Sequence, residues 1–258
     1  MSRDVVKSAA RVIHVLEYFD DVRRAASVSE IAEHHDWPIS STSVLMRSLV
    51  TLGYLDYEAG TRTYMPTTRV ALLGNWIQAN LFKDGQLMHL MEWLSEKTGE
   101  TVVLAARNGL GVHYIQVIQA TNTMRMSVRL GTVRPLCWSG SGWMLLSTLD
   151  DDTIRKLAQR HNADVAPVAS PESGALSLPG KRVDIAELME VIADVRAKGY
   201  AFSAIQVTAN GGLIAMLLPT LPGDKPLVIG LAGLTSVLDA NLDRFVALLR
   251  EGIALHIG

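Results

Sequence analysis

The stretch from Ser27 to Gly53, SVSEIAEHHDWPISSTSVLMRSLVTLG, constrains the fold more than any other part of the chain. A short helix opens at a capping box, in which the Ser27 hydroxyl caps the amide of Glu30 and Glu30 reaches back. Ile31 and Ala32 then face inward. A tight break follows at Asp36-Trp37-Pro38, and Pro38 suits the first turn of the next helix, where its missing amide hydrogen costs nothing. Thr42, Leu45, Met46, Leu49 and Leu52 recur at helical spacing and predict one inward stripe. Ser40, Ser41, Ser43, Val44 and Arg47 are left outward. Gly53 ends the helix. A short helix, a turn and a second helix with one small, polar face is the sequence form of a helix-turn-helix.

The flanks extend this reading. An amphipathic helix is expected from about Val6 to Phe19, with Ala9, Val12, Ile13, Leu16 and Phe19 as its apolar stripe. After Gly53, Tyr54-Leu55-Asp56-Tyr57 and Thr63-Tyr64-Met65 read as two strands around Glu58 to Arg62. A hairpin in this place is a wing, with Arg62 near its tip. Hydroxyl side chains at the start of the second helix let its backbone approach a phosphate, which the helix dipole also favours. Arg47, farther along, can reach a phosphate or a guanine edge.

Charge is the counter-argument. The chain carries 24 Lys/Arg and 26 Asp/Glu, so no global field names a partner. Residues 1–66 hold seven Lys/Arg against nine Asp/Glu, whereas a DNA module usually carries a basic footprint. Placement softens the objection. Lys7, Arg11, Arg47 and Arg62 fall where phosphates are expected, while Asp20, Asp21 and Asp56 sit at element ends. One copy would bind modestly, which favours a dimer reading two half-sites.

Composition bounds the rest. A length of 258 residues at 48% hydrophobic suffices for one large domain or two smaller ones. The single cysteine, Cys137, excludes an internal disulfide framework and suits a reducing cytoplasm. The N-terminal residues have no apolar core segment of a signal peptide. The uncharged stretch Ser203 to Gly223 is broken by Gly and Pro and reads as strands and turns, so no membrane partner is expected.

Val6-Lys7-Ser8-Ala9-Ala10-Arg11, Ser29-Glu30-Ile31-Ala32, Pro38 with Ser40-Ser41, and Leu52-Gly53-Tyr54-Leu55 resemble the winged helix-turn-helix of the isocitrate lyase regulator (IclR) family. The resemblance implies a bacterial transcription factor that contacts double-stranded operator DNA, here through Lys7, Ser8, Arg11, Ser40, Ser41, Ser43, Val44, Arg47 and Arg62. One departure stands out: Val44 replaces an arginine usual in the family, which leaves Arg47 as the only cation on that helix. Thr67 to Phe82 is nearly all apolar, with Val70, Leu73, Trp76 and Ile77 on one stripe. A helix apolar on most sides must be covered on most sides, and a partner chain is the expected cover, with the chain's own C-terminal domain as the alternative. By the resemblance this segment is a linker helix that pairs the DNA-binding domains.

The remainder reads as strands in runs with flanking helices, an antiparallel α+β sensor domain. Expected helices include Leu87 to Leu94, Gly142 to Ser147, one from Asp152, one capped by Asp184 and stopped by Gly199, and one through Leu242, Phe245, Leu249 and Ile253. Expected strands are Thr101–Ala105, Val112–Val117, Met124–Leu130, Leu213–Leu218 and Leu227–Leu231. Asn162 to Lys181 reads as a surface loop. The segment Gly131 to Gly142, GTVRPLCWSGSG, reads as a loop of small residues whose exposed amides can bind an anion or a carbonyl oxygen. It also resembles the family's effector loop, which implies that Ser139, Gly140 and Ser141 line a ligand site with Met124 and Met126 as an apolar wall. Cys137, Trp138, Trp143, Ser203, Gln206, Ala215 and Gly230 depart from the family's usual residues there, mostly by losing charge or strong polarity. A bulkier, flatter effector than a short keto acid follows, such as an aromatic acid.

An enzyme is the weaker reading. The nucleophile-elbow pattern is absent around Ser141, a lone buried cysteine is commoner than a catalytic one, and no histidines show ligand spacing. No phosphate-binding glycine pattern occurs. The expectation is therefore a cytoplasmic, ligand-responsive regulator with no metal and no cofactor, self-associating as a dimer or a dimer of dimers. Residues 1–66 would be the winged helix-turn-helix, 67–83 the linker helix, and 84–258 a GAF-like effector-binding and oligomerisation domain.

Overall fold

The computed structural model describes residues 6–74, 85–121, 128–164, 181–204, 210–219 and 225–258. The chain divides into two compact units, Met1–Lys83 and Asp84–Gly258.

In the first unit, α1 (Lys7–Val22) precedes a two-residue strand, β1 (Ala26–Ser27), and the pair α2 (Val28–His34) and α3 (Ile39–Thr51). β2 (Leu55–Glu58) and β3 (Thr63–Pro66) form the hairpin, and β1 adds to the free edge of β3, giving the order β1-β3-β2. The Ser27 capping box is complete: Glu30 N donates to Ser27 Oγ at 3.3 Å, and Ser27 N donates to Glu30 Oε2 at 2.8 Å. Pro38 stands one position earlier than its sequence suggested, as the N-cap of α3. Its carbonyl accepts from Thr42 N and from the Ser41 and Thr42 hydroxyls. Gly53 turns the chain with φ +77°.

The core of this unit gathers Val15, Tyr18, Phe19, Ala26, Ile31, Met46, Leu49, Leu55 and Tyr64. The buried face of α1 is therefore rotated from the expected stripe. Tyr18 and Phe19 carry large rings, and burying them removes more apolar area than burying Ile13 or Ala9. Ile13 is left 53% exposed. On α3, Thr42, Met46 and Leu49 are buried as expected, but Leu52 is the C-cap and lies outside, 57% exposed. A short helix α4 (Thr68–Leu72) follows, with Leu72 and Leu73 both exposed. The rest of the expected linker, including Trp76 and Ile77, lies outside the described residues.

The second unit is built on a six-stranded antiparallel sheet in the order β6-β5-β4-β9-β8-β7. Its strands are β4 (Thr101–Asn108), β5 (Gly111–Ile118), β6 (Val133–Pro135), β7 (Ala201–Ser203), β8 (Gly211–Leu217) and β9 (Leu227–Leu234). Helices α5 (Gln86–Thr98), α6 (Gly140–Ser147), α7 (Asp151–Asp164), α8 (Ile185–Lys198), α9 (Thr235–Ala240) and α10 (Leu242–His256) flank it. Val103 and Ala105 of β4 belong to one core with residues of α6, α7 and α8. Val102 and Leu104 point to the opposite face by strand alternation and are equally buried. α5 packs on β4 and against α10, so the sheet is covered on both faces.

Helix stops agree with the glycines: Gly99 and Gly199 take φ +71° and +73°. Asp184 caps α8 by accepting from Ala186 N at 2.7 Å and Glu187 N at 3.2 Å. Two differences concern strands and loops. Residues 128–130 are not strand, and the edge strand is Val133–Pro135; residues 122–127 lie outside the description. Asn162, expected in a loop, ends α7 and clamps Val183 with two hydrogen bonds of 2.8 and 2.9 Å. Among the described residues no helix is long and apolar enough to cross a membrane.

Candidate nucleic-acid interface and effector site

The outward face of α3 follows from which side chains the core takes. With Thr42, Met46 and Leu49 inside, Ser40, Val44 and Arg47 are exposed and Ser43 is half-buried. Several hydroxyls on this helix are turned back on its backbone. Ser41 Oγ donates to Pro38 O, Ser48 Oγ to Val44 O and Thr51 Oγ1 to Arg47 O. The Ser40 and Ser43 hydroxyls have no hydrogen-bond partner among the described residues.

The cations do different work. Lys7, Arg47 and Arg62 are exposed and form no ion pair among the described residues, and Ser8 is exposed beside Lys7. Arg62 sits in the hairpin turn with φ +56°. Arg11 is not free in the same way: its guanidinium lies 4.8 Å from the Trp37 ring centroid and donates to Ser41 Oγ at 3.2 Å. It therefore braces the first turn of α3 from α1. Trp37 also stacks on His35 at 4.4 Å, and His35 on His14 at 5.9 Å. Burial, then the neighbouring His34 and His14, hold the His35 imidazole below its ordinary range. This aromatic stack was invisible to periodicity, although the run His34-His35-Asp36-Trp37 was its signal.

In the second unit, the Gly/Ser segment is the start of a buried helix. Ser139 is the N-cap of α6: its hydroxyl accepts from Gly142 N at 3.1 Å and donates to Pro135 O at 2.8 Å. Ser139, Ser141 and Ser203 are buried together with Gly140. The glycines are set by close approach. A Cβ at Gly142 would lie 1.9 Å from the Leu136 carbonyl oxygen, and one at Gly140 would lie 2.9 Å from Ser203 Cβ. Ser203 pairs with Leu213 and Ala201 with Ala215. Ala201, Leu213 and Ala215 belong to the core that α6 joins. Ser139, Gly140, Ser141, Ser203 and Ala215 are thus brought to one face of the sheet.

Other expected residues are placed elsewhere or not described. Trp138 is turned toward the segment before α8: its Nε1 donates to Lys181 O at 3.0 Å, and Lys181 Nζ lies 5.0 Å from its ring centroid. Cys137 is buried, and burial pushes its thiol up to about 11, so it is no thiolate at neutral pH. Its carbonyl accepts from Trp143 Nε1 at 3.0 Å. Met124, Met126 and Gln206 lie outside the described residues.

Two residues were missed. Tyr114 on β5 is buried, and its phenol is pushed up by burial, with the opposing pull of Arg134 and a hydrogen bond to Ser141. Arg134 on β6 lies 5.8 Å from the Tyr114 ring centroid. Its signal was plain, since Arg134 is the only cation between Gly131 and Gly142. Three serines, a tyrosine and one arginine, with no carboxylate among them, can hold an organic anion. No group of three or more His, Cys, Asp or Glu among the described residues could hold a metal ion.

Comparison with known proteins bears on both units. Residues 8–59 match the family model described as the IclR helix-turn-helix domain. Residues 85–252 match that of the bacterial transcriptional regulator IclR C-terminal domain. The transcriptional repressor IclR of Escherichia coli K12 is 26% identical over 214 residues, covering 76% of this chain and 69% of that protein. The repressor AllR of Salmonella typhimurium LT2 is 26% identical over 240 residues, 92% of this chain and 82% of that one. Among solved structures, an IclR regulator from Alicyclobacillus acidocaldarius superposes with a TM-score of 0.71 at 24% identity, covering 97% of each chain. An IclR homolog from Microbacterium hydrocarbonoxydans, complexed with 4-hydroxybenzoate, gives a TM-score of 0.73 at 20% identity over 96% of each chain.

Proposed function

Because the chain belongs to the IclR family of bacterial transcriptional regulators, we propose that it binds operator DNA through α3 and the β2–β3 hairpin, under the control of a small organic acid. The exposed face of α3 carries the DNA part: Ser40, Ser43 and Arg47 offer hydroxyls and a cation at the right spacing for the major groove. Lys7 and Arg62 supply backbone contacts on either side. Residues 67–83 act as a linker between this domain and an effector-binding and oligomerisation domain, 84–258. The exposed Ile13, Leu72 and Leu73 support self-association, since a second copy would cover them.

The effector is an aromatic carboxylic acid that signals to a catabolic operon. Small residues where α6 meets the sheet, Gly140 on the helix and Ala201 and Ala215 on the strands, favour a flat ligand. Arg134 beside Tyr114 and Ser141 supplies the charge for its carboxylate. The 4-hydroxybenzoate held by a protein of the same fold is in keeping with this class. Binding would shift the population of domain arrangements and so the spacing of two α3 helices. The role is regulatory, with no turnover of the effector, in keeping with relatives named as repressors.

Two measurements test the reading. Arg47→Ala should weaken binding to a selected operator by about 1–3 kcal/mol; unchanged affinity removes Arg47 from the interface. Thermal shift with benzoate, 4-hydroxybenzoate, glyoxylate and pyruvate should raise Tm with the aromatic acids. Stabilisation by the short keto acids alone overturns the aromatic assignment.

A further inference from the structure

We propose that Val44 reads the 5-methyl group of a thymine in the major groove, so that this chain requires a thymine within one or two base pairs of the guanine contacted by Arg47. The inference rests on the DNA-binding reading above. Val44 is 55% exposed at the centre of the outward face of α3. Ser40 lies one turn before it and Arg47 one turn after it. Nothing in the helix explains a valine here. A β-branched residue on a solvent-facing helical position loses side-chain freedom and contributes no burial. Its isopropyl group has neither donor nor acceptor, so it cannot grip a phosphate. The one apolar feature that base edges present in the major groove is the C5-methyl of thymine.

The spacing fixes the neighbourhood. Three residues of helix advance about 4.5 Å, against a base-pair rise of about 3.4 Å. Val44 and Arg47 therefore address base pairs one or two steps apart. Ser48 and Thr51, farther along the same helix, spend their hydroxyl protons on the backbone carbonyls of Val44 and Arg47. They compete less for the bases, which leaves the methyl contact and the arginine to set the sequence.

The same methyl occurs on 5-methylcytosine, so the test separates the two sources. The full-length protein is used to select sites from a random duplex pool, and each thymine of the enriched site is replaced in turn by deoxyuridine, which lacks only the methyl. Loss of one methyl should weaken binding about three- to tenfold at one position. Val44→Ala, an exposed change that spares the fold, should erase the difference between thymine and deoxyuridine there. A duplex with 5-methylcytosine at that position, bound better than unmethylated cytosine but more weakly than thymine, supports thymine as the natural partner; binding no better than unmethylated cytosine overturns the methyl contact, and tighter binding than to thymine overturns the choice of thymine. An enriched site insensitive to deoxyuridine at every thymine overturns the inference and leaves the DNA reading intact. Failure to enrich any site overturns both.

Discussion

Single residues in this chain are fixed by backbone geometry as often as by chemistry. Gly142 is the clearest case. A methyl group there would meet the Leu136 carbonyl oxygen at 1.9 Å, and neither partner is a flexible side chain. Gly142→Ala should cost about 3 kcal/mol or more of C-terminal stability, read as a lower urea midpoint. Arg62 is the converse, a non-glycine held at φ +56°. Arg62→Gly should raise stability of the N-terminal unit by about 1 kcal/mol, by relieving the left-handed conformation. The same change should weaken operator binding, so that stability and affinity move in opposite directions. A joint loss would mean that Arg62 is structural. At this scale the sequence was legible where a residue's chemistry is local, as with Ser27 and Glu30 or Asp184. It was opaque where a residue answers to a distant neighbour, as with Gly140 facing Ser203 or Arg11 facing Trp37.

Elements were readable in proportion to their length and periodicity. The long helices α5, α8 and α10 and the strands β4, β5, β8 and β9 follow from apolar spacing and glycine stops. The two- and three-residue strands β1, β6 and β7 carry too few residues for a period, and pairing with a longer neighbour decides them. α6 was read as a loop at its start because Gly140 and Gly142 are poor helix formers; its burial on every side outweighs that propensity. The rotation of α1 came from two competing stripes, of which the one with larger rings won. The stack of His14, His35 and Trp37 ties α1 to the turn before α3, beside Arg11, His34 and Tyr18. His35 Nε2 is buried with no hydrogen-bond partner among the described residues. Because the folded state holds His35 below its ordinary pKa, the unfolded chain binds the proton more readily. Stability is then complete above about pH 6.5 and falls as the pH drops below it. Thermal melts at pH 7.5 and 5.5 should show an acid loss in the N-terminal transition. His35→Phe, which keeps a ring on Trp37, should reduce that loss; an equal loss in the variant would place the sensitivity elsewhere.

The whole molecule pairs a reading head of low charge with a sensor whose described candidate-site residues include no carboxylate. Low charge has a measurable signature. With Lys7 and Arg62 as the phosphate contacts of each copy and Arg47 on a base, a dimer neutralises about four phosphates, so the logarithm of affinity should fall against log salt with a slope of about −4. A much steeper slope would require further cations at the phosphates, from Arg11, from residues 1–5 or from further copies. Domain order and fold class were legible because each unit has its own pattern, helical spacing first and strand runs after. The site's shape was less so, since strands far apart in sequence create it.

That separation bears on how the protein is made. The middle of the large sheet joins β4 to β9, with Val103 opposite Gly230, whereas every strand pairing of the first unit lies between Ala26 and Pro66. The reading head can fold as soon as it leaves the ribosome. The sensor must wait for almost the whole chain, with the edge of β4 open in the meantime. A message truncated before residue 227 would therefore yield a competent head on an unclosed sheet, prone to pairing with other nascent chains. Cells making this regulator gain a reason to translate through β9, Leu227–Leu234, without pause.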